Sequence, residues 1–260
     1  MQTLMPVLFI SHGAPIILDD GTKAADFFSM IGKTLPHPKA IVCVSAHWEP
    51  PVHMVSVTEH PETIYDFYGF PKRYYELKYP AKGNPSLAVK LLKTLNEKGI
   101  ECRSAQRGLD HGAWVPLLCM YPDADIPIFQ LSLKRGASPK ELFETGRALR
   151  ELRSEGVLFI LSGSATHNLY DFGKYPAISE PAEYAQMFDN WLEQVLAQGD
   201  TTSLLNWITV APEAKRNHPT HEHLNPIFIA AGLSDSGKAE KVHNEIVYGI
   251  ISMAAFLWND

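Results

Sequence analysis

Three apolar runs in this chain end in the same way. PVLFI at 6–10 leads into Ser11-His12, IVCV at 41–44 into Ser45-Ala46-His47, and VLFIL at 157–161 into a turn that closes on His167. None of the three alternates apolar with polar residues, so each reads as a strand buried on both faces, as in the middle of a parallel sheet. Between them lie segments of helical spacing at 22–34, at 85–99 with Pro85 in the first turn and Gly99 at the C-cap, and at 138–155 before Gly156. Strands alternating with helices predict an α/β fold: a single-domain sandwich over residues 1–260 with a central, mostly parallel sheet flanked by helices. Open sheets of this kind bind ligands outside the carboxyl ends of their strands, which is where each run delivers its histidine.

The remaining segments fit that plan. Further strands are expected at 52–57 and 126–133, helices at 183–198 and 201–209, and a strand followed by a short helix within 246–257. Residues 60–79 hold seven aromatic side chains (Tyr65, Phe67, Tyr68, Phe70, Tyr74, Tyr75 and Tyr79) interleaved with Pro61, Gly69 and Pro71. That composition argues for a long ordered loop, either a lid over a site or a segment held by its own packing.

Charge and cysteine usage narrow the partners. A net charge of -6 argues against a nucleic-acid or anionic-membrane surface, since both need a basic face. No apolar run is long enough to span a bilayer. The N-terminus lacks the basic start of a signal peptide. Cys43, Cys102 and Cys119 are far apart and form no C-x-x-C pair, which disfavours a disulfide framework or a thiolate zinc knot and fits a reducing, cytoplasmic setting. The composition specifies no oligomeric state.

If the three strands are neighbours pointing the same way, His12, His47 and His167 converge on one sheet edge. His111, in the turn Asp110-His111-Gly112, and the stretch from His218 to His223 add further imidazoles. Neutral imidazole is the commonest side-chain ligand for zinc, iron, copper and nickel, and histidine sites with open positions suit a catalytic zinc or a non-haem Fe(II) oxygenase. HExxH, GxGxxG and GxxxxGK[ST] are absent, and Ser162-Gly163-Ser164 lacks the full nucleophile elbow. His37, His53, His60 and His243 have no matching context and read as ordinary surface or partly buried residues.

Seven blocks carry a closer likeness: SHGAP at 11–15, VSAHWE at 44–49, YDFYGFP at 65–71, LDHGAWVPL at 109–117, YPDADIPIFQLSL at 121–133, SGSATHNL at 162–169 and PTHEH at 219–223. In order and spacing the chain resembles the 4,5-DOPA extradiol dioxygenase family, among the class III extradiol ring-cleavage dioxygenases of the LigB-like superfamily. The resemblance implies a LigB-like α/β sandwich binding one non-haem divalent metal, Fe(II) for activity with Zn(II) able to occupy the site. It further implies O2-dependent opening of a catechol such as L-DOPA to a muconic-semialdehyde-type product. Carried over by position, His12, His47 and His223 are the metal ligands, His167 is the acid/base, counted as a ligand in some relatives, and His111 faces the substrate. Many class III enzymes use two histidines and a glutamate, so Glu222 is the alternative third ligand; His221 reads as incidental. Two other uses of these histidines stay open: a zinc-dependent hydrolase, and a non-enzymatic LigB-fold protein for metal binding or interaction. The intact histidine set argues against the second, which needs no acid/base.

Overall fold

The computed structural model describes residues 4–176 and 179–260. In chain order, β1 (Val7–Ser11) is followed by α1 (Lys23–Thr34), β2 (Ala40–Ser45), β3 (His53–Ser56), α2 (Pro85–Glu97) and β4 (Cys102–Ala105). Next come α3 (His111–Met120), β5 (Ile128–Gln130), α4 (Pro139–Leu149), β6 (Val157–Gly163) and α5 (Glu183–Gln198). Short helices α6 (Thr201–Leu205), α7 (Trp207–Val210) and α8 (Ala214–Asn217) precede α9 (Pro226–Leu233), and four strands close the chain: β7 (Glu240–His243), β8 (Ile246–Val247), β9 (Ile251–Ser252) and β10 (Ala255–Trp258). Among the described residues, no helix is long and apolar enough to cross a membrane.

The central sheet has the order β5-β2-β6-β1-β10-β7. Its first four strands are mutually parallel, as the unbroken apolar runs predict, and all residues of β1, β2 and β6 are buried. Alternate side chains then feed two cores. Val7, Phe9, Val42, Val44, Phe159 and Leu161 pack with α2, α4, α5 and α9 on one face. Leu8, Ile10, Ile41, Cys43, Leu158 and Ile160 pack with α1 and α3 on the other. The result is the expected three-layer sandwich.

Several local expectations change. The tail of the chain forms no helix within 246–257; β10 instead pairs antiparallel with β1. Without it, the outer backbone groups of a fully buried strand would lack partners. The strand expected at 126–133 leaves the central sheet after Gln130, where Leu131 bridges to Val55 and Ser132 N donates to the Met54 carbonyl at 2.8 Å. The second, two-stranded sheet of β3 and β4 includes a strand, Cys102–Ala105, whose polar exposed face hides it from pattern reading. The helix expected at 138–155 is α-helical to Leu149 and then tightens to a 3-10 helix over Arg150–Glu155. In that segment the buried Arg153 guanidinium donates to the carbonyls of Met5, Leu233 and Asp260. The segment at 201–209 breaks into two helices at Asn206.

α4 and α9 touch backbone to backbone through a reciprocal glycine pair. A Cβ on Gly146 would lie 2.1 Å from the Ile229 carbonyl oxygen, and one on Gly232 would lie 2.0 Å from that of Phe143. Backbone atoms in two packed helices cannot yield as a side-chain tip does, so Gly146→Ala or Gly232→Ala is expected to destabilise the protein by at least about 2 kcal/mol. Urea unfolding checks this; a midpoint equal to that of the unsubstituted protein would show that the helices can separate without cost.

Candidate metal centre and active site

β6 lies between β2 and β1, and the register sets Ser45 beside Ser162 and Ser11 beside Gly163. The three strands therefore end level. The ladder continues one step further, with His12 N donating to the Gly163 carbonyl and Ala46 N to the Ser162 carbonyl, both at 3.0 Å. His12 and His47 leave this edge with their Nε2 atoms facing each other at 2.9 Å. His223 arrives from the turn before α9 through a gap left by Gly163, where a Cβ would sit 2.0 Å from the His223 carbonyl oxygen. That carbonyl instead accepts from Ser164 N at 2.8 Å.

One ligand atom from each of His12, His47 and His223 lies within 4.8 Å of the others. His167 stacks on His223 with ring centroids 3.5 Å apart and planes 10° from parallel. His111 opens α3, its ring centroid 4.1 Å from that of His47 and 5.3 Å from that of His12. All five histidines singled out by the sequence thus meet in one pocket. His221 lies instead against Trp207, and His37 and His60 are exposed. His53 departs from expectation: it is fully buried away from the site, between the Ser132 carbonyl and the Thr145 hydroxyl.

Hydrogen bonds fix where the ring protons sit. Pro116, inside α3, has no N–H, so the Gly112 carbonyl four residues back has no helical donor. The Ser162 hydroxyl donates to it at 2.5 Å. That uses the only proton on Ser162 Oγ, so the oxygen must accept from His12 Nδ1–H, 2.9 Å away. The His12 lone pair is then on Nε2, turned toward His47. At His223 the same logic applies through Glu222, whose carboxylate accepts from Nδ1 at 3.0 Å. The donor set suits a divalent metal: imidazole nitrogens with lone pairs converge, and two of them are about as far apart as neighbouring ligands on an ion bound at roughly 2.0–2.1 Å.

Comparison with known proteins places the chain in a family. Residues 6–257 match the family described as the catalytic LigB subunit of aromatic ring-opening dioxygenase. The chain belongs to the LigB family. It is 41% identical over 261 residues to a 4,5-DOPA dioxygenase extradiol of Beta vulgaris, covering 98% of this chain and 97% of that one. With the protein of the same description from Escherichia coli (strain K12) it shares 38% identity over 97% of this chain and 94% of the relative. The crystal structure of an uncharacterized protein from Escherichia coli K12 has the same fold, with a TM-score of 0.82, 34% identity and coverage of 97% and 99% of the two chains. As a LigB family member this chain is an extradiol dioxygenase, an enzyme that opens aromatic rings.

Sequence reading missed three parts of this LigB site. Ser162 was visible only as part of a weak serine motif. Asp66, in the aromatic loop, accepts at Oδ1 from both the backbone N–H and Nδ1–H of His111, each at 2.9 Å, and its Oδ2 stands 3.8 Å from His47 Nδ1. A lone carboxylate among aromatics was the available signal. Asp110 is fully buried before His111, its Oδ2 accepting from Gln130 Nε2 at 2.9 Å and from Arg107 Nη2 at 3.3 Å. The aromatic loop is anchored rather than free: Ile64 N donates to the Leu109 carbonyl, Trp114 Nε1 to the Ile64 carbonyl and the Tyr65 hydroxyl to the Leu77 carbonyl.

Electrostatics follow from burial. Desolvation, reinforced by neighbouring imidazoles, holds His12 well below the ordinary histidine range and brings His47 to about 4. Desolvation likewise brings His223 to about 3 and His167 to about 4. Burial alone would raise Asp66 and Glu222, but hydrogen bonds from His111 and His223 respectively outweigh it and hold both near 2.

These rings are neutral in the native state but titrate near about 6.5 once the chain unfolds. As pH falls below that value the unfolded chain takes up protons first, so the metal-free protein is expected to lose stability down to the native values near 4 and 3. Each ring contributes up to about 1.4 kcal/mol per pH unit in that window. Asp66 and Glu222 act lower: their stabilisation is present above their ordinary carboxylate values and fades as pH falls toward 2. Urea midpoints between about pH 7 and pH 5 measure the histidine effect; a flat profile there would mean that the native rings titrate as those of the unfolded chain do.

Proposed function

We propose that residues 1–260 act as a single catalytic domain that opens a catechol ring with O2, L-DOPA being the substrate class named for its relatives. The product is a muconic-semialdehyde-type compound, and the setting is the reducing cytoplasm, consistent with three unpaired cysteines. One divalent metal, Fe(II) in the active enzyme, is held by His12, His47 and His223. The observation that supports this reading is the convergence of those three rings, with the outer nitrogens of His12 and His223 engaged by Ser162 and Glu222. Glu222 is occupied in orienting His223, which favours the histidine over the glutamate as third ligand.

Bound Fe(II) would supply a common centre for the two catechol oxygens and O2, removing much of the entropic barrier to their meeting and allowing electron transfer between them. The remaining chemistry belongs to the chain. His167 stands against His223 and, among the described residues, neither of its ring nitrogens has a hydrogen-bond partner. Burial keeps it neutral, so it meets the substrate as a base and accepts a hydroxyl proton. The negative charge left on the catecholate raises its proton affinity back toward neutrality, so that it can return the proton later as an acid. His111 faces the same substrate, and Phe67 lies edge-on to it with centroids 5.8 Å apart, shielding that side from water.

The test is anaerobic reconstitution with Fe(II), addition of L-DOPA, then admission of air. O2 uptake with a yellow ring-opened product is expected, and its absence with every catechol tried would overturn the reading. Zn(II) at the same site has no redox chemistry, so zinc-loaded protein is expected to bind the metal without consuming O2.

His167→Gln is expected to keep its Fe(II) content and lose roughly 10²- to 10⁴-fold in kcat, the usual worth of a general acid/base. Unchanged turnover would assign the proton transfer elsewhere.

A further inference from the structure

Resting on that reading, the geometry points to Asp66 as a positioning residue of the reaction: through one carboxylate it fixes the tautomer and orientation of His111 and ties the aromatic loop to the site. Asp66 Oδ1 accepts two hydrogen bonds from the same residue, the backbone N–H of His111 and its ring Nδ1–H, both at 2.9 Å. A carboxylate can only accept, so the ring nitrogen facing it must carry the proton. The two bonds form a small closed ring of contacts that sets the side-chain torsion of His111 at the first residue of α3. The nitrogen left for the substrate is Nε2, with its lone pair free. A catechol hydroxyl can donate to that lone pair, which orients the hydroxyl against His111. Were His111 to turn over to the other tautomer, it would present an N–H to a hydroxyl that also needs an acceptor.

Asp66 does this from a loop, so its placement depends on its neighbours. Tyr65 packs edge-on to Trp114 at 6.1 Å, and Phe67 packs on Tyr75 at 4.8 Å and edge-on to His111 at 5.8 Å. The residues on either side of Asp66 thus clamp it to α3, the helix that carries its partner. The second oxygen, 3.8 Å from His47 Nδ1, faces the neighbouring imidazole without a direct bond. The Asp66 side chain is a fifth exposed, and among the described residues its polar neighbours are the two imidazoles it faces.

Asp66→Ala and Asp66→Asn separate positioning from a purely structural role. Asparagine retains an oxygen that can accept from His111; alanine does not. In Zn(II)-loaded, diamagnetic protein, ¹⁵N NMR of the histidines, with the His111 signals assigned from His111→Gln, is expected to show a protonated Nδ1 and unprotonated Nε2 for His111. Asp66→Asn should keep that pattern and Asp66→Ala should lose it, while both retain zinc. With Fe(II), Asp66→Ala is expected to lose roughly 10- to 100-fold, mainly in kcat, as removal of an orienting partner does elsewhere, with substantial recovery in Asp66→Asn. An unchanged His111 tautomer in Asp66→Ala, or unchanged kcat in an enzyme that does turn over, overturns the inference. If the unsubstituted protein consumes no catechol, the dioxygenase reading falls, and the tautomer comparison still decides what Asp66 does to His111.

Discussion

The architecture of this site depends on where a few protons sit. Five imidazoles share one pocket, and their mutual proximity and burial forbid charge on most of them. Neutral rings alone are insufficient, because each can still turn the wrong nitrogen inward. The chain addresses this by placing an acceptor behind three of the five. Ser162 stands behind His12, Asp66 behind His111 and Glu222 behind His223. Each acceptor holds an Nδ1 proton, and each ring then presents Nε2 to the interior. His47 and His167 have no such hydrogen-bonded acceptor among the described residues; with His47 taken up by the proposed metal, His167 is left free to change its protonation state in the proposed reaction.

The acceptor behind His12 comes from a less obvious source. A serine hydroxyl is ambivalent and would as readily donate to an imidazole as accept from it. Pro116 removes that freedom. By withholding an N–H from α3, it leaves the Gly112 carbonyl in need of a donor in a buried position. A buried carbonyl without one costs about 1–3 kcal/mol, enough to decide which way the Ser162 proton points. A proline that looks like an irregularity in a ten-residue helix is therefore connected, through one carbonyl and one hydroxyl, to the lone pair on His12.

What the sequence made legible, and what it hid, divides along the same line. The buried strands and the histidines at their ends depend on local pattern, so β1, β2 and β6 and the convergence of His12, His47 and His167 could be read directly. The acceptors depend on tertiary proximity: Ser162 lies 150 residues from His12, and Asp66 lies 45 from His111. No periodicity records such pairs. The closing strand β10 was hidden for a related reason, since the apolar stretch around Ala254-Ala255-Phe256 suits helix or strand equally, and only the open edge of β1 selects strand.

The aromatic loop illustrates how the two kinds of information combine. Composition allowed either a lid or a segment fixed by its own packing, and the bonds favour the second. Thr63 bridges to Leu109, Trp114 holds the Ile64 carbonyl, and Tyr74 and Tyr79 are buried. Swinging the whole loop away would break these contacts and also strip His111 of its acceptor, so opening the site that way would dismantle it. The tip at Tyr68, which is 91% exposed and followed by Gly69 at φ +80°, projects into solvent. The loop is better understood as a fixed wall with an exposed rim: the wall sets Asp66 and Phe67 against His111, and the rim at Tyr68 holds no proton in place.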